Sequence, residues 1–191
     1  MKRQLTVGLL AHVDAGKTTL AEALLYLSGA IRKPGRVDHG DTALDVHALE
    51  RERGITIFAG EGHLSLPQTE VALLDTPGHV DFSAEAERVL RVLDYALLVV
   101  SGTDGVQAHT AALWRLLDLY HIPTAIFVTK MDLARRTRED LLSELKQELS
   151  ENCVDLAAPD LEEHLSLCGE DLLEAYLAAG TLDPGQVRAA V

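Results

Sequence analysis

Nine residues, AHVDAGKTT at 11–19, constrain this chain more than any others. They lie between an apolar run, LTVGLL at 5–10, and an amphipathic stretch running from Leu20 to Leu27. That order predicts a buried strand, a tight glycine-containing turn and a helix start. The residues from Ala11 to Thr18 fit the phosphate-loop pattern, with Ala11 where the first glycine usually stands. At a helix N-terminus the first backbone N–H groups lack intrahelical partners, and the helix dipole adds partial positive charge. Such an end suits a phosphate. Gly16 removes the Cβ that would block the approach, Lys17 can reach the β- and γ-phosphates, and the Thr18 hydroxyl can ligate Mg²⁺. Asp14, Ala15 and Thr19 complete the loop and its first helical turn. A chance AxxxxGKT in a turn would not need this strand–turn–helix context.

The rest of the chain supplies a sheet around that loop. The hairpin is predicted from ITIFAG and HLSL within 55–66, a turn at Pro67-Gln68, and VALL at 71–74. Two further apolar runs, ALLVVS at 96–101 and PTAIFVT at 123–129, read as buried parallel strands. Helical periodicity covers 80–93, 107–120 and 138–149, with shorter helical stretches at 161–167 and 170–177 and a polar end around Asp183-Pro184-Gly185. Residues 30–54 show no sustained period, and a loop that long in a compact domain usually carries function or is disordered. Alternation of this kind predicts an α/β, doubly wound, mostly parallel sheet of the P-loop NTPase class. One edge strand is antiparallel and helices lie on both faces. Ligands in such sheets bind at the carboxyl ends of the strands.

Three more motifs fall at those ends. Asp75-Thr76-Pro77-Gly78-His79 follows the VALL strand. An Asp there can hold Mg²⁺ through water, and the Gly78 N–H can approach a γ-phosphate. A neutral imidazole at His79 can orient an attacking water, which makes it the catalytic candidate. The other seven histidines share no spacing and are assigned to no metal. Thr129-Lys130-Met131-Asp132 follows the PTAIFV strand. The Asp132 carboxylate can accept from the N1–H and N2 amine of guanine, a donor pair adenine lacks. The aliphatic stem of Lys130 can cover the base. Finally, Arg53-Gly54-Ile55-Thr56-Ile57 closes the long irregular segment. A Thr56 hydroxyl on a movable loop can complete a Mg²⁺ shell while a γ-phosphate is present.

Charge is uneven. Residues 1–138 hold 17 acids and 15 bases, whereas 139–191 hold 13 acids and 2 bases, so nearly all of the net −13 lies in the tail. Neither part has the basic face of a nucleic-acid footprint. No run reaches the roughly 18 apolar residues of a membrane span. The short apolar stretch near the N-terminus passes directly into the phosphate loop, unlike a signal peptide. Cys153 and Cys168 lack metal-ligand spacing and read as reduced thiols of a cytoplasmic protein.

AHVDAGKTT, RERGITI, DTPGHVDF and TKMD together resemble the GTP-binding domain of translational GTPases, over about residues 6–149. Within that group the chain is most similar to elongation factor G and its relatives, the ribosomal-protection tetracycline-resistance proteins. LLYLSGAI, LERERGITI and SGTDGVQAHT look closer to the resistance branch. The resemblance implies GTP and GDP as ligands, Mg²⁺ on Thr18, Thr56 and Asp75, and the ribosome as partner of the full-length protein. It implies that His79 acts on the attacking water, with Val13 and Ile55 as an apolar gate beside it. It also implies that Asp14 helps hold a monovalent cation. Residues 30–56 resemble switch I, and the stretch from Asp75 into the next helix resembles switch II.

Two departures stand out. Thr129 replaces the family's usual Asn, which implies weaker or faster-exchanging guanine binding. The family's final guanine-contacting Ser-Ala loop, its sixth strand and its downstream domains have no counterpart. The expected organisation is therefore a GTP-binding core at 1–150 and an acidic helical segment of the same domain at 151–191, in a truncated chain. The leading expectation is a slow GTPase. The alternatives are a guanine-nucleotide switch module without measurable hydrolysis, an elongation factor G-type translocase paralogue, and a P-loop ATPase.

Overall fold

The computed structural model describes residues 2–35, 60–76 and 89–190. The chain divides into two compact units, Met1–Arg135 and Arg136–Val191.

The first unit is built on five strands: β1 (Arg3–Ala11), β2 (Gly60–Ser65), β3 (Thr69–Asp75), β4 (Tyr95–Ser101) and β5 (Thr124–Thr129). Their order across the sheet is β2-β3-β1-β4-β5. Among the described residues, only β2 and β3 pair antiparallel; β1 with β3, β1 with β4 and β4 with β5 are parallel. The Pro67-Gln68 turn forms as expected, closed by a 2.8 Å bond from Leu66 N–H to the Thr69 carbonyl. The burial pattern explains the placement. β1 ends in four consecutive buried residues and occupies the centre, whereas β2 buries only Gly62 and Leu64 in alternation and sits at the edge.

Helix α1 (Lys17–Leu27) packs Ala21 and Leu25 against Leu9, Leu64, Val71 and Leu73. A second small cluster of Ala11, Ala15, Leu20 and Val99 seats the loop between β1 and α1 on the sheet. Helix α2 (Ala108–Leu119) buries Thr110, Leu113 and Leu117 and packs on β4 and β1. The sheet extends from β1 to β3 on one side and to β4 on the other. The loop after β1 thus stands at the topological switch point.

The second unit holds α3 (Arg138–Glu148), α4 (Leu161–Ser166), α5 (Glu170–Ala179) and α6 (Pro184–Ala190). A capping box starts α3: the Thr137 hydroxyl accepts from Asp140 N–H, and the Asp140 carboxylate accepts from Thr137 N–H. α4 packs against α5 and α6, and the Glu162 carboxylate accepts from Leu182 N–H at 3.1 Å. The polar end expected at 183–185 is instead a helix start. Pro184 occupies the first helical position, where its missing N–H costs nothing, and the Asp183 carboxylate accepts from Gly185 N–H at 2.7 Å.

Candidate functional site

The site forms where β1, β3 and β5 end. β1 runs straight into the loop 12–16, and α1 begins at Lys17. Two residues of that loop take the left-handed conformation, Asp14 at φ 59° and Gly16 at φ 87°. Gly16 is the helix N-cap, and no side chain caps the amides behind it. The first turn of α1 therefore keeps donors for an anion, as the phosphate-loop pattern requires. Asp14 and Thr19 are exposed, Val13 and Thr18 are half-buried, and Ala15 and Lys17 are buried.

Three contacts grip this loop from the neighbouring strand ends. Parallel pairing sets Asp75 opposite Leu9, so its carboxylate arrives beside the loop. There the Lys17 ammonium donates to Asp75, and both are buried, at 7% and 0% exposure. Thr76 is buried as well; its N–H and hydroxyl both donate to the Leu9 carbonyl, at 3.2 and 2.6 Å, and lock the end of β3 to β1. From β5, the Thr129 hydroxyl donates to the Ala15 carbonyl at 2.6 Å. The Lys130 ammonium donates to the Asp14 carbonyl, also at 2.6 Å, from a residue in the left-handed region at φ 54°.

The Thr129 hydroxyl meets Ala15 directly, so the end of β5 is tethered to the loop after β1. Lys130 directs its ammonium to the same loop. Asp132 lies exposed in the turn that follows, closed by Leu133 N–H to the Lys130 carbonyl at 3.1 Å. Behind this turn, Gly102 N–H donates to the Thr129 carbonyl at 2.8 Å. A Cβ on Gly102 would stand 3.0 Å from that carbonyl and 2.6 Å from the Met131 sulfur. Hydrogen bonding to the Ser101 side chain, with smaller help from Thr103, Lys130 and His12, holds the Asp104 carboxyl below its ordinary range.

Several partners escape a reading of the sequence. Thr76 carries no signal of its own inside DTPG. Gly102 has neither a periodic nor a motif signal. His12 and His109 show no shared spacing, yet their rings meet edge to face with centroids 5.9 Å apart. Glu22 is 1% exposed inside α1, and its carboxylate accepts from Gly35 N–H at 2.7 Å. A charged residue on the inner face of a helix is its only signal. Ile55, Thr56, Gly78 and His79 lie outside the described residues.

The Thr18 hydroxyl and the Asp75 carboxylate are hard oxygen donors, in the first turn of α1 and at the strand end beside it. That donor chemistry fits Mg²⁺, which binds few protein ligands alongside phosphate oxygens and water. Among the described residues, no helix is long and apolar enough to cross a membrane.

Comparison with known proteins agrees with this geometry. Residues 2–181 match the family model described as the elongation factor Tu GTP binding domain. The chain is 45% identical over 170 residues to the tetracycline resistance protein TetW of Butyrivibrio fibrisolvens, covering 89% of this chain and 26% of that one. It is 47% identical over 156 residues to TetP of Clostridium perfringens, covering 82% and 24%. The chain thus spans about a quarter of the length of these curated relatives. A crystal structure of a Thermus thermophilus protein superposes with a TM-score of 0.81 at 27% identity, over 97% of this chain and 34% of that chain. The translation elongation factor SelB of Methanococcus maripaludis, in complex with the GTP analogue GppNHp, does so with a TM-score of 0.58 at 25% identity, over 78% and 28%. A phosphate loop gripped from β3 and β5, on a sheet of this order, belongs with those matches: the chain is a member of the elongation factor Tu GTP-binding domain family, related to the tetracycline resistance proteins.

Proposed function

We propose that this domain binds GTP and hydrolyses it to GDP and phosphate, as the nucleotide-driven part of a cytoplasmic ribosomal-protection protein of the tetracycline-resistance type. One observation carries the reading: the phosphate loop and the lysine that follows it are held by Asp75 through Lys17, by Thr129 through Ala15 and by Lys130 through Asp14. A loop fixed at three points presents preorganised donors to a phosphate, which removes the cost of ordering them at the moment of binding.

The roles follow residue by residue. Loop amides and Lys17 neutralise the β- and γ-phosphates, with Asp14, Ala15, Gly16, Thr18 and Thr19 forming the cradle. Thr18, Thr56 and Asp75 would hold Mg²⁺, which supplies charge neutralisation across the two terminal phosphates when bound. Asp14 is the candidate ligand of a monovalent cation. Gly78 approaches the γ-phosphate by its N–H. Asp132 selects guanine, and Thr129 and Lys130 join the base end of the site to the phosphate end. His79 orients the attacking water, with Val13 and Ile55 restraining its approach. Catalysis here is positioning and electrostatics, so turnover is slow until a partner, the ribosome, aligns His79.

GTP hydrolysis measured with and without ribosomes tests this. His79→Ala is expected to keep nucleotide affinity and lose the stimulated rate. Unchanged stimulated hydrolysis would remove the catalytic role. Equal competition by ATP and GTP, unaltered in Asp132→Asn, would remove the guanine assignment.

A further inference from the structure

We propose that Cys153 and Cys168 form a redox-modification site in the second unit: a thiol pair that closes to an intrachain disulfide on reaction with a small-molecule disulfide of the glutathione class. The two residues are free thiols in this structure and both are partly exposed. They belong to different elements. Cys153 sits in the turn after α3, its N–H donating to the Ser150 carbonyl at 3.0 Å and its sulfur facing the Leu145 carbonyl at 3.9 Å. Cys168 follows the end of α4, its N–H donating to the Leu165 carbonyl at 3.0 Å.

What brings them together is Asn152. The Cys168 sulfur lies 3.8 Å from the Asn152 carbonyl oxygen, besides 3.5 Å from that of His164. Peptide geometry keeps a carbonyl oxygen within about 4 Å of the next residue's Cβ, so the Cys168 sulfur lies within about 8 Å of the Cys153 Cβ. In a disulfide the sulfur of one cysteine stands about 3 Å from the Cβ of the other. The remaining approach is therefore at most about 5 Å, across a turn held by short-range hydrogen bonds, not by a strand or a long helix. The pairing is one the folded unit creates, since fifteen positions of sequence separate the two residues.

The two sulfurs have different parts. Burial pushes the Cys153 thiol up, with weaker opposing help from the Ser150 backbone contact and from Lys146. The Cys168 thiolate attacks one sulfur of the oxidant, forming a mixed disulfide. The other half of the oxidant leaves as a thiolate and takes up a proton. Cys153, deprotonated to solvent, then attacks the Cys168 sulfur, and the second small thiol leaves. Two protein thiols are oxidised and one small disulfide is reduced to two thiols. The product fastens the turn after α3 to the end of α4.

The test is exposure of the purified chain to oxidised glutathione, read by non-reducing intact mass, peptide mapping and thiol titration. The expected product has lost both titratable thiols, is monomeric, carries no glutathione and yields a 153–168 cross-linked peptide. Closure is expected at least tenfold faster in the native chain than in the chain unfolded in urea. Cys153→Ser is expected to stop at a single glutathione adduct on Cys168, and circular dichroism establishes that this variant is folded. Two stable glutathione adducts in the wild type, interchain dimers, or closure no faster in the native chain than in urea would each overturn the proposal.

Discussion

Replacing Thr129 by Val isolates the contact that joins the proposed base end of the site to the phosphate loop. Valine keeps the branched shape and removes one hydroxyl. That hydroxyl donates to the Ala15 carbonyl at 2.6 Å; its second neighbour, the Val100 carbonyl, is farther at 3.3 Å. A hydroxyl has one proton, so the shorter contact holds it. Ala15 is 2% exposed, so its carbonyl has little water to turn to. Losing the bond and leaving a buried acceptor costs about 1–3 kcal/mol. Only the part that differs between nucleotide-bound and free protein appears as affinity. If most of it does, about 1–2 kcal/mol weakens guanine nucleotide binding about 5- to 30-fold. The assay is titration and chase of a fluorescent GDP analogue, with Thr129→Ser as control because serine retains the donor. The expected order is wild type and Ser close together, Val well behind, with most of the change in the dissociation rate. If Val binds as wild type does, or Ser falls as far as Val, the hydroxyl tether is not what holds the loop.

Asp75→Asn takes the carboxylate away from the buried Lys17 ammonium, and removing one member of a buried pair costs about 3–5 kcal/mol; thermal unfolding should show a large drop in the midpoint, and an unchanged midpoint would mean the pair contributes nothing. Gly102→Ala sets a methyl 3.0 Å from the Thr129 carbonyl. Relief by shifting the end of β5 is expected to cost about 1–3 kcal/mol, read as lower stability together with faster GDP release. Thr137→Ala removes the cap of α3 and should cost about 1 kcal/mol. The same cap gives a pH signature: hydrogen bonds from the Thr137 backbone and side chain hold Asp140 below its ordinary 3.8. A lowered carboxylate stabilises the fold above the ordinary value, and that contribution is lost as pH falls through the lowered one. Acid titration of stability should therefore show a loss below pH 3.8 in the wild type that Thr137→Ala reduces.

The fold is legible in the sequence because its elements announce themselves. β1, β4 and β5 are short apolar runs, the β2–β3 hairpin has its turn at Pro67-Gln68, and α1 and α2 carry apolar residues at helical spacing. The last helix is not legible. Asp183-Pro184-Gly185 looks like a turn to any rule that counts breakers, and only the capping geometry shows that Pro184 begins α6. In the site, residue types announce themselves but their partners do not. Lys17, Asp75, Thr129 and Lys130 stand out by motif, whereas the identity of each bond depends on strand register.

AHVDAGKTT, read in isolation, determined that a phosphate-binding turn follows a strand and opens a helix. Backbone conformation and helix-end chemistry are local properties, set by residues within a few positions of one another. TKMD likewise marked the strand end proposed to select guanine. What the tertiary structure alone decided is how these pieces hold each other. Parallel pairing puts Asp75 opposite Leu9 and Thr129 opposite Ser101, and from those two registers come the Lys17–Asp75 pair and the Thr129–Ala15 bond. Contacts between residues 58 and 114 positions apart depend on sheet order and register, and no local pattern encodes those.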